Sequence, residues 1–419
     1  MKKQLDILVS GTGVAGPILA YWLHRAGHKV TVLEKDAQIR ATGHSIDVRE
    51  AAVDVIKLMG VEPAVKAKTT SEAGLAFVDA NDSIRALFPS IDNDKGQSFT
   101  VEYEVLRGEL VTIFFEASKD RPNVEYIFSE SISSFDMDAT SVNVDFTSGR
   151  AAHRYDLVIG ADGLGSKTRK LAFDASTKDF LRPFDTFAAF FTMDENLLGN
   201  DNYCRWYNAS GGRNVTLRPD PQGRTRANLC IINHNGPKGY ERLSKAFAKG
   251  ADGIRAILDE EFADAGWKSA AVLEGMHRAS DVYGTELAQI RVPQLRKQRV
   301  ALVGDAGYCP TPLTGMGTSL AIIGAYVLAG EILSNEDVDV ALGRYQDVML
   351  PYVRKVQNIP AFAPKIANGN YQWQIDLLLS VLSWVVYLRL TTVASWVGSW
   401  LPSGDKFQLP TYQWPAVKK

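Results

Sequence analysis

Residues 5–36 read LDILVSGTGVAGPILAYWLHRAGHKVTVLEKD, and this stretch decides the fold class. The apolar run before Gly11 predicts a buried strand, and the glycine turn leads into an apolar helix that ends at Gly27. The next run, KVTVLEK, predicts a second strand. A strand, a helix and a strand in this order predict a βαβ unit, which opens an α/β fold with a parallel sheet.

The turn before the helix carries a Gly-x-Gly-x-x-Gly pattern. Gly11 makes the tight turn, Gly13 lets the backbone approach a pyrophosphate, and Gly16 lets helix and strand pack closely. Glu34 ends the next strand about 20 residues on, where a carboxylate accepts hydrogen bonds from ribose hydroxyls. A glycine turn without a ligand is the alternative interpretation. The residues predicted to bind a dinucleotide here are Gly11, Gly13, Val14, Ala15, Gly16, Glu34 and Lys35.

The composition is that of an ordinary globular protein. Of the 419 residues, 46% are hydrophobic and 22% are charged, and the net charge of -2 gives no basic field that would attract nucleic acid. The cysteines, Cys204, Cys230 and Cys309, lack the spacing of a zinc site or a disulfide framework. The first apolar run follows directly after MKKQ, so we expect no secretory leader and a cytoplasmic location.

The segment between Phe184 and His234 is rich in strand-forming residues and interrupts the α/β pattern. Short runs rich in strand formers are separated by Gly, Asn, Asp and Pro, which predicts an antiparallel sheet inserted into a nucleotide-binding domain. The predicted nucleotide-binding domain comprises residues 1–70, 101–178 and 279–345, the substrate domain 71–100 and 179–278, and the C-terminal helical region 346–419.

The stretch 375–401 near the C-terminus is strongly apolar, with Asp376 and Arg389 as its only charged residues. It is long enough to span a bilayer. Polar residues recur along it at helical spacing, however, and such a stripe is typical of a helix packed on protein. We therefore favour packing over membrane association, which stays an alternative. The stripe consists of Asp376, Ser380, Ser383, Tyr387 and Thr391.

Two further motifs follow apolar strands, GADGLGSKTR at 160–169 and GDAGYCPTPLTGMGTSLA at 304–321. Together with the N-terminal glycine loop, they make the chain resemble the single-component flavoprotein monooxygenases with the para-hydroxybenzoate hydroxylase fold. That group includes the tetracycline-inactivating enzymes. The resemblance covers about residues 5–345. It implies an α/β fold: a Rossmann-like FAD-binding domain (GR2 type), an inserted antiparallel β-sheet substrate domain and a C-terminal helical segment.

The resemblance also implies roles for the motif residues. Asp305 would accept hydrogen bonds from the ribityl hydroxyls of FAD, which suits a carboxylate because it is an acceptor only. The backbone at Met316, Gly317 and Thr318 would face the flavin pyrimidine edge. Arg107 and Arg40 match arginines of the family's flavin site. The other implied cofactor residues are Asp162, Gly163, Gly304 and Gly315. In the family, the motif that matches Asp162 is partly a structural link between the cofactor and its reductant.

The chain departs from the family pattern beside these residues. Gly307 and Tyr308 stand where Ala-His is common, and Thr318 stands where Asn is common. Detailed ring contacts therefore do not transfer from the family to this chain. The cofactor assignment itself does not depend on these positions.

The implied reaction uses NADH or NADPH to reduce FAD, and a flavin C4a-hydroperoxide made with dioxygen then oxygenates an aromatic or polycyclic small molecule. A flavin-dependent reductase of a prenyl or lipid substrate is one alternative, and a lipid-chaperone-like binding module without catalysis is another. The halogenase motif Trp-x-Trp-x-Ile-Pro is not present. We predict no metal and a monomer or homodimer, and the sequence assigns no residue as the general base. Candidate substrate residues are Tyr203, Trp206, Arg213, His234, Met276, Tyr283 and Pro310.

Overall fold

The computed structural model describes residues 3–40, 43–70, 72–89, 103–360, 362–388 and 407–415. Its strands are β1 (Asp6–Ser10), β2 (Lys29–Leu33), β3 (Ser45–Asp47), β4 (Gly74–Val78), β5 (Ile84–Pro89), β6 (Glu104–Leu106), β7 (Val124–Ile127), β8 (Ile132–Met137), β9 (Val142–Phe146), β10 (His153–Tyr155), β11 (Leu157–Gly160), β12 (Leu181–Met193), β13 (Tyr203–Ala209), β14 (Arg213–Pro219), β15 (Thr225–Ile232), β16 (Tyr283–Ile290), β17 (Arg296–Lys297) and β18 (Val300–Leu302).

The helices are α1 (Ala15–Arg25), α2 (Ala51–Leu58), α3 (Glu62–Lys66), α4 (Arg107–Ser118), α5 (Lys167–Phe173), α6 (Thr177–Phe180), α7 (Gly236–Ala248), α8 (Ala251–Phe262), α9 (Ser269–Arg278), α10 (Asp305–Tyr308), α11 (Gly317–Ser334), α12 (Val338–Val356), α13 (Ala363–Ala367) and α14 (Gln372–Tyr387), with a short 3-10 turn at Pro312–Thr314.

The first sheet has the strand order β17-β18-β11-β1-β2-β7, and only the edge strand β17 is antiparallel to its neighbour. The predicted βαβ opening is therefore confirmed. Residues Ile7, Leu8 and Val9 of β1 are fully buried because helices and the rest of the domain cover both faces. The parallel strands β1, β11 and β18 end at the same edge, so the loops that follow them carry the three sequence motifs to one place.

The second sheet has seven strands in the order β16-β12-β15-β14-β13-β4-β5. Helices α7, α8 and α9 cover one of its faces and enclose a second hydrophobic core. The sheet is mixed rather than purely antiparallel, because β4 enters from an earlier part of the chain and pairs in parallel with β13. β16 pairs with β12 as far as Ile290, so this sheet extends beyond the predicted boundary at residue 279.

A three-stranded sheet, β10-β9-β8, and a two-stranded ribbon, β3-β6, complete the first domain. By length and composition one described helix, α11, could cross a membrane. Residues Leu320 to Ala329 of this helix are nevertheless buried, because α11 packs against α1, α2 and α12. The helix is the centre of the first hydrophobic core.

Helix α14 packs on the second sheet. Its apolar residues Ile375, Leu379, Leu382 and Val385 are buried, and the Ser383 hydroxyl donates a hydrogen bond to the Arg85 carbonyl on β5. The opposite face, beside the predicted narrow polar stripe, is also apolar. Its members Trp373, Leu377, Val381 and Trp384 are 50–63% exposed. Arg389 and Thr391 of the predicted apolar stretch lie outside the described residues.

The last described segment, residues 407–415, lies on the first domain. Trp414 packs on Trp22 of α1 with the ring centres 4.3 Å apart, and the Tyr412 hydroxyl donates a hydrogen bond of 2.8 Å to Glu331 of α11. The C-terminal region therefore contacts both domains, with α14 on one and the terminal segment on the other.

Candidate active site

The glycine loop after β1 is held in a conformation that only small residues tolerate. Gly11 has φ 107°, and a Cβ atom there would lie 2.6 Å from the Ala161 carbonyl oxygen. A Cβ on Gly16 would lie 2.0 Å from the Gly11 oxygen, so the start of α1 packs directly on the turn. The position of a Cβ on Gly13 is open except for the Arg107 guanidinium at 3.9 Å. The loop therefore leaves free space where the sequence predicts a pyrophosphate.

Glu34 lies at the end of β2 and contacts the same loop. Its carboxylate accepts hydrogen bonds from the Thr12 N–H at 2.9 Å, from the Thr12 hydroxyl and from the Asp36 N–H. A carboxylate offers about four acceptor positions, so a ribose hydroxyl would share it with the loop. Lys35 is exposed beside it. Arg40 forms a surface ion pair of 3.0 Å with Asp36, so the structure places it near the end of β2, and residues 41 and 42 are not described.

Asp305 begins α10 directly after β18. Gly304 in front of it fits between two helices, since an added Cβ would lie 3.3 Å from that of Ala321 and 3.8 Å from that of Ala15. The Asp305 side chain is exposed to the open cleft. Desolvation by the surrounding protein raises its pKa, and the positive charge of Arg107 acts in the opposite direction. Hydrogen bonds from ligand hydroxyls would stabilise the charged form of this carboxylate in place of the water around it.

The second motif supports the loop that carries Asp305. Asp162 accepts hydrogen bonds from the Ser166 hydroxyl and from the N–H and hydroxyl of Thr168, both at 3.0 Å, so its oxygens fix the turn after β11. This geometry favours the structural role for Asp162 over direct binding. Gly163, with φ 77°, lies in this turn. The fully buried Arg169 donates hydrogen bonds of 2.7 Å to the carbonyls of Ala306 and Leu164.

Helix α11 begins at the end of the third motif. Gly315 adopts a left-handed conformation with φ 63° and ends the turn before the helix. The Met316 N–H already donates to the Thr314 hydroxyl at 3.0 Å, so its predicted flavin contact lacks a free donor. The first intrahelical bond runs from the Leu320 N–H to the Met316 carbonyl. The amides of Gly317 and Thr318 thus have no acceptor within the helix. Pro310 packs beside Gly317, where an added Cβ would lie 3.8 Å from its ring.

These residues fit FAD as a group. The glycine loop provides space and helix N–H groups for phosphates, and Asp305 provides an acceptor in the open cleft at the same sheet edge. Arg107 lies between them, because its guanidinium is beside Gly13 and its charge affects Asp305. Among the described residues no cluster of His, Cys, Asp or Glu could hold a metal ion.

An aromatic stack joins the two domains at this cleft. His44 stacks on Phe190 of β12 with the ring centres 4.8 Å apart, and Phe190 stacks on Tyr283 of β16 at 5.3 Å. The Tyr283 hydroxyl accepts a hydrogen bond from the His44 N–H and lies 2.7 Å from the His44 Nδ1. Burial, and then Arg107, lowers the pKa of His44 to about 4, so the ring is neutral at pH 7. The sequence predicted Tyr283 as a substrate residue. It did not predict His44 or Phe190, because neither belongs to a recognisable motif.

Strand alternation shows which residues of the second sheet face this cleft. The cross-strand row that contains Phe190 is called the site-facing row, and the opposite face packs on α7, α8 and α9. Trp206 lies in this row beside Phe77, with the ring centres 5.8 Å apart. The row consists of Tyr283, Phe190, Asn228, Thr216, Trp206 and Phe77.

Three predicted substrate residues are on the wrong face for that role, which corrects the prediction. Arg213 donates hydrogen bonds to the Ser210 carbonyl at 2.7 Å and to the Glu261 carbonyl of α8. Met276 is fully buried in the core beneath α9. Tyr203 shares the face of Tyr207, which belongs to the same core. His234 follows β15 at one end of the second sheet, where a Cβ added to Gly212 would lie 2.5 Å from the His234 Nε2.

Buried charges also connect the domains. Arg218 of β14 forms ion pairs with Glu104 of β6 and, at 3.7 Å, with Glu72. Burial raises the pKa of Glu72 to about 8, against the attraction of Arg218. Arg226 pairs with Asp220 at 2.7 Å and reaches the Ser45 hydroxyl of β3 at 3.4 Å. These contacts fix the second sheet against the β3–β6 ribbon of the first domain.

Comparison with known proteins agrees with this geometry. A family profile described as an FAD binding domain matches residues 4–357. The FAD-dependent monooxygenase asL4 of Sarocladium schorii is 32% identical over 419 residues, which cover 94% of this chain and 95% of the relative. The tetracycline destructase Tet(55) superimposes with a TM-score of 0.77 at 30% identity and covers 98% of this chain and 99% of its own.

A third comparison supports the fold alone. Klebsiella pneumoniae HpxO, solved in complex with FAD and uric acid, has a TM-score of 0.75 at 21% identity and covers 96% of this chain and 99% of its own. The profile match and the full-length relatives agree with the three converging motifs and the cleft between the two sheets. The chain therefore belongs to the FAD-binding-domain family of flavin-dependent monooxygenases.

Proposed function

We propose that this protein uses NADH or NADPH and dioxygen to oxygenate an aromatic or polycyclic small molecule held between the FAD site and the second sheet. The observation that carries the proposal is the position of the aromatic stack of His44, Phe190 and Tyr283. The stack lies where the second sheet meets the first domain, at the cleft that also contains Arg107 and Asp305.

Bound FAD supplies the redox and oxygen-activating chemistry. The chain's own residues bind and orient the reactants. Asp305 and the start of α11 would hold the ribityl and ring ends of FAD, and the glycine loop with Arg107 would hold its phosphates. The aromatic stack and Trp206 offer flat apolar surfaces to a substrate and reduce the access of water.

A reductase of a prenyl or lipid substrate would use the same cofactor site, and a lipid-binding module would use the cleft without catalysis. The site-facing row favours an aromatic ligand over a prenyl chain, because it combines aromatic side chains with an amide and a hydroxyl. The Asp305 carboxylate argues against a module without flavin, since a partly desolvated acceptor beside the glycine loop suits the hydroxyls of a bound cofactor.

The test is oxygen stoichiometry. The purified protein is expected to be yellow with one FAD per chain. NADPH or NADH oxidation should consume dioxygen and should shift from peroxide release to product formation when an aromatic substrate from a screening panel is added. Flavin reduction without oxygen uptake would favour the reductase, and a colourless protein that cannot be reconstituted with FAD would contradict the proposal.

A further inference from the structure

The polar side chains on the site-facing surface of the second sheet form a closed hydrogen-bond network. The Asn208 amide oxygen accepts from the Trp206 Nε1 at 2.7 Å and from the Asn214 amide at 3.2 Å. The Asn214 amide oxygen accepts from the Thr216 hydroxyl at 2.8 Å. The Asn208 amide nitrogen donates to the Ala367 carbonyl at 2.9 Å. These groups satisfy one another and lock Trp206 in place.

Asn228 stands in the same row and is left out of this network. Its amide oxygen is buried and has no hydrogen-bond partner among the described residues. The side chain lies between Phe190 on one neighbouring strand and Thr216 on the other. A buried amide oxygen without a partner costs about 1–3 kcal/mol, so a native protein rarely keeps one without a ligand or water.

The surroundings of Asn228 indicate what that ligand would be. Phe190 and Trp206 lie three strands apart in one row, a separation of about 14 Å at the usual strand spacing. The row is therefore aromatic towards each end and polar in the middle. A fused aromatic ring system would lie along such a row, with a hydroxyl directed at the centre.

We propose that Asn228 determines specificity by accepting a hydrogen bond from a phenolic or enolic hydroxyl of a fused aromatic substrate. This inference rests on the proposed function, because it concerns the ligand of the same cleft. An amide suits the task since its oxygen accepts from a hydroxyl and its nitrogen can donate to the hydroxyl oxygen or to a neighbouring carbonyl. A ligand that lacks the hydroxyl would leave the amide oxygen unpaired, which lowers its affinity.

The experiment compares two probes of equal size, naphthol and methylnaphthalene, on the FAD-loaded full chain. Their binding is followed by the change in probe fluorescence and in the visible flavin spectrum. The wild-type protein should bind naphthol about 5- to 10-fold more tightly, as expected for one hydrogen bond. Asn228→Leu should reduce this ratio to about one, with the affinity for methylnaphthalene kept or increased.

Cys230→Ala is the matched control, because Cys230 lies two residues along the same strand on the same face and carries no amide. It should keep the preference for naphthol. Asn228→Ala is a second test variant, which should lose the preference as well. Equal binding of the two probes by the wild type, or a preference that survives in Asn228→Leu, overturns the inference. FAD content and NAD(P)H-dependent oxygen uptake are measured on the same preparations, so a failure of the proposed function would show separately as loss of flavin or as absence of oxygen uptake.

Discussion

Substitution of Asp305 should separate cofactor binding from protein stability. The Asp305 side chain is exposed to the cleft, and desolvation there raises its pKa, so the charged carboxylate is disfavoured before a ligand arrives. Asp305→Ala should therefore leave the free energy of unfolding of the apoprotein unchanged or slightly higher. The same substitution removes the proposed acceptor of the ribityl hydroxyls.

The size of the effect on FAD affinity follows from the bonds lost. Two hydrogen bonds from hydroxyls to a carboxylate contribute about 1.5–3 kcal/mol each, or roughly 3–6 kcal/mol together. This corresponds to an increase of about 10²- to 10⁴-fold in the dissociation constant of FAD. Titration of apoprotein with FAD, followed by quenching of flavin fluorescence, measures it directly.

Asp281→Ala is the control because it should have the opposite effect. Asp281 accepts hydrogen bonds from the Thr192 N–H at 2.9 Å and from the Thr192 hydroxyl at 2.7 Å, which join the start of β16 to β12. Its loss should lower the free energy of unfolding by about 2 kcal/mol and leave FAD affinity nearly unchanged. If both variants retain FAD equally, or if Asp305→Ala destabilises the apoprotein as much as Asp281→Ala, the assigned role of Asp305 is refuted.

Three further predictions concern other parts of the molecule. Arg169→Met should lower the free energy of unfolding by roughly 3–5 kcal/mol in urea titrations, because the buried carbonyls of Ala306 and Leu164 lose their donor; a variant as stable as the wild type would contradict this. The depressed pKa of His44 predicts that stability is lost as pH falls from 6.5 to about 4, since the unfolded chain binds the proton more tightly there. The loss is at most about 3 kcal/mol, and His44→Gln should reduce the pH slope of apoprotein unfolding. Truncation after Tyr371 removes α14 and the terminal segment, and it should yield insoluble or inactive protein. A soluble and active truncated protein, together with full-length protein recovered in membranes, would instead favour membrane anchoring by the exposed face of α14.

The first domain was largely predictable because its motifs are local. Gly11, Gly16 and Asp305 follow strands, and each residue type is required by backbone geometry or by acceptor chemistry within a few residues of the turn. The parallel sheet then brings the strand ends together, which explains why separated motifs predicted one site. Asp162 needed the structure, because only the bonds from Ser166 and Thr168 show that it fixes a turn.

The substrate side was poorly predictable because it depends on which face of a strand points to the cleft. Arg213 and Met276 have the residue types of a binding pocket, yet strand register and helix packing turn them towards the second core. His44 and Phe190 lie far apart in the chain and meet only through the docking of two domains. The sequence by itself therefore determined the cofactor fold, through short-range glycine and carboxylate requirements. Only the tertiary structure decided the substrate surface, because long-range strand pairing selects the side chains that line it.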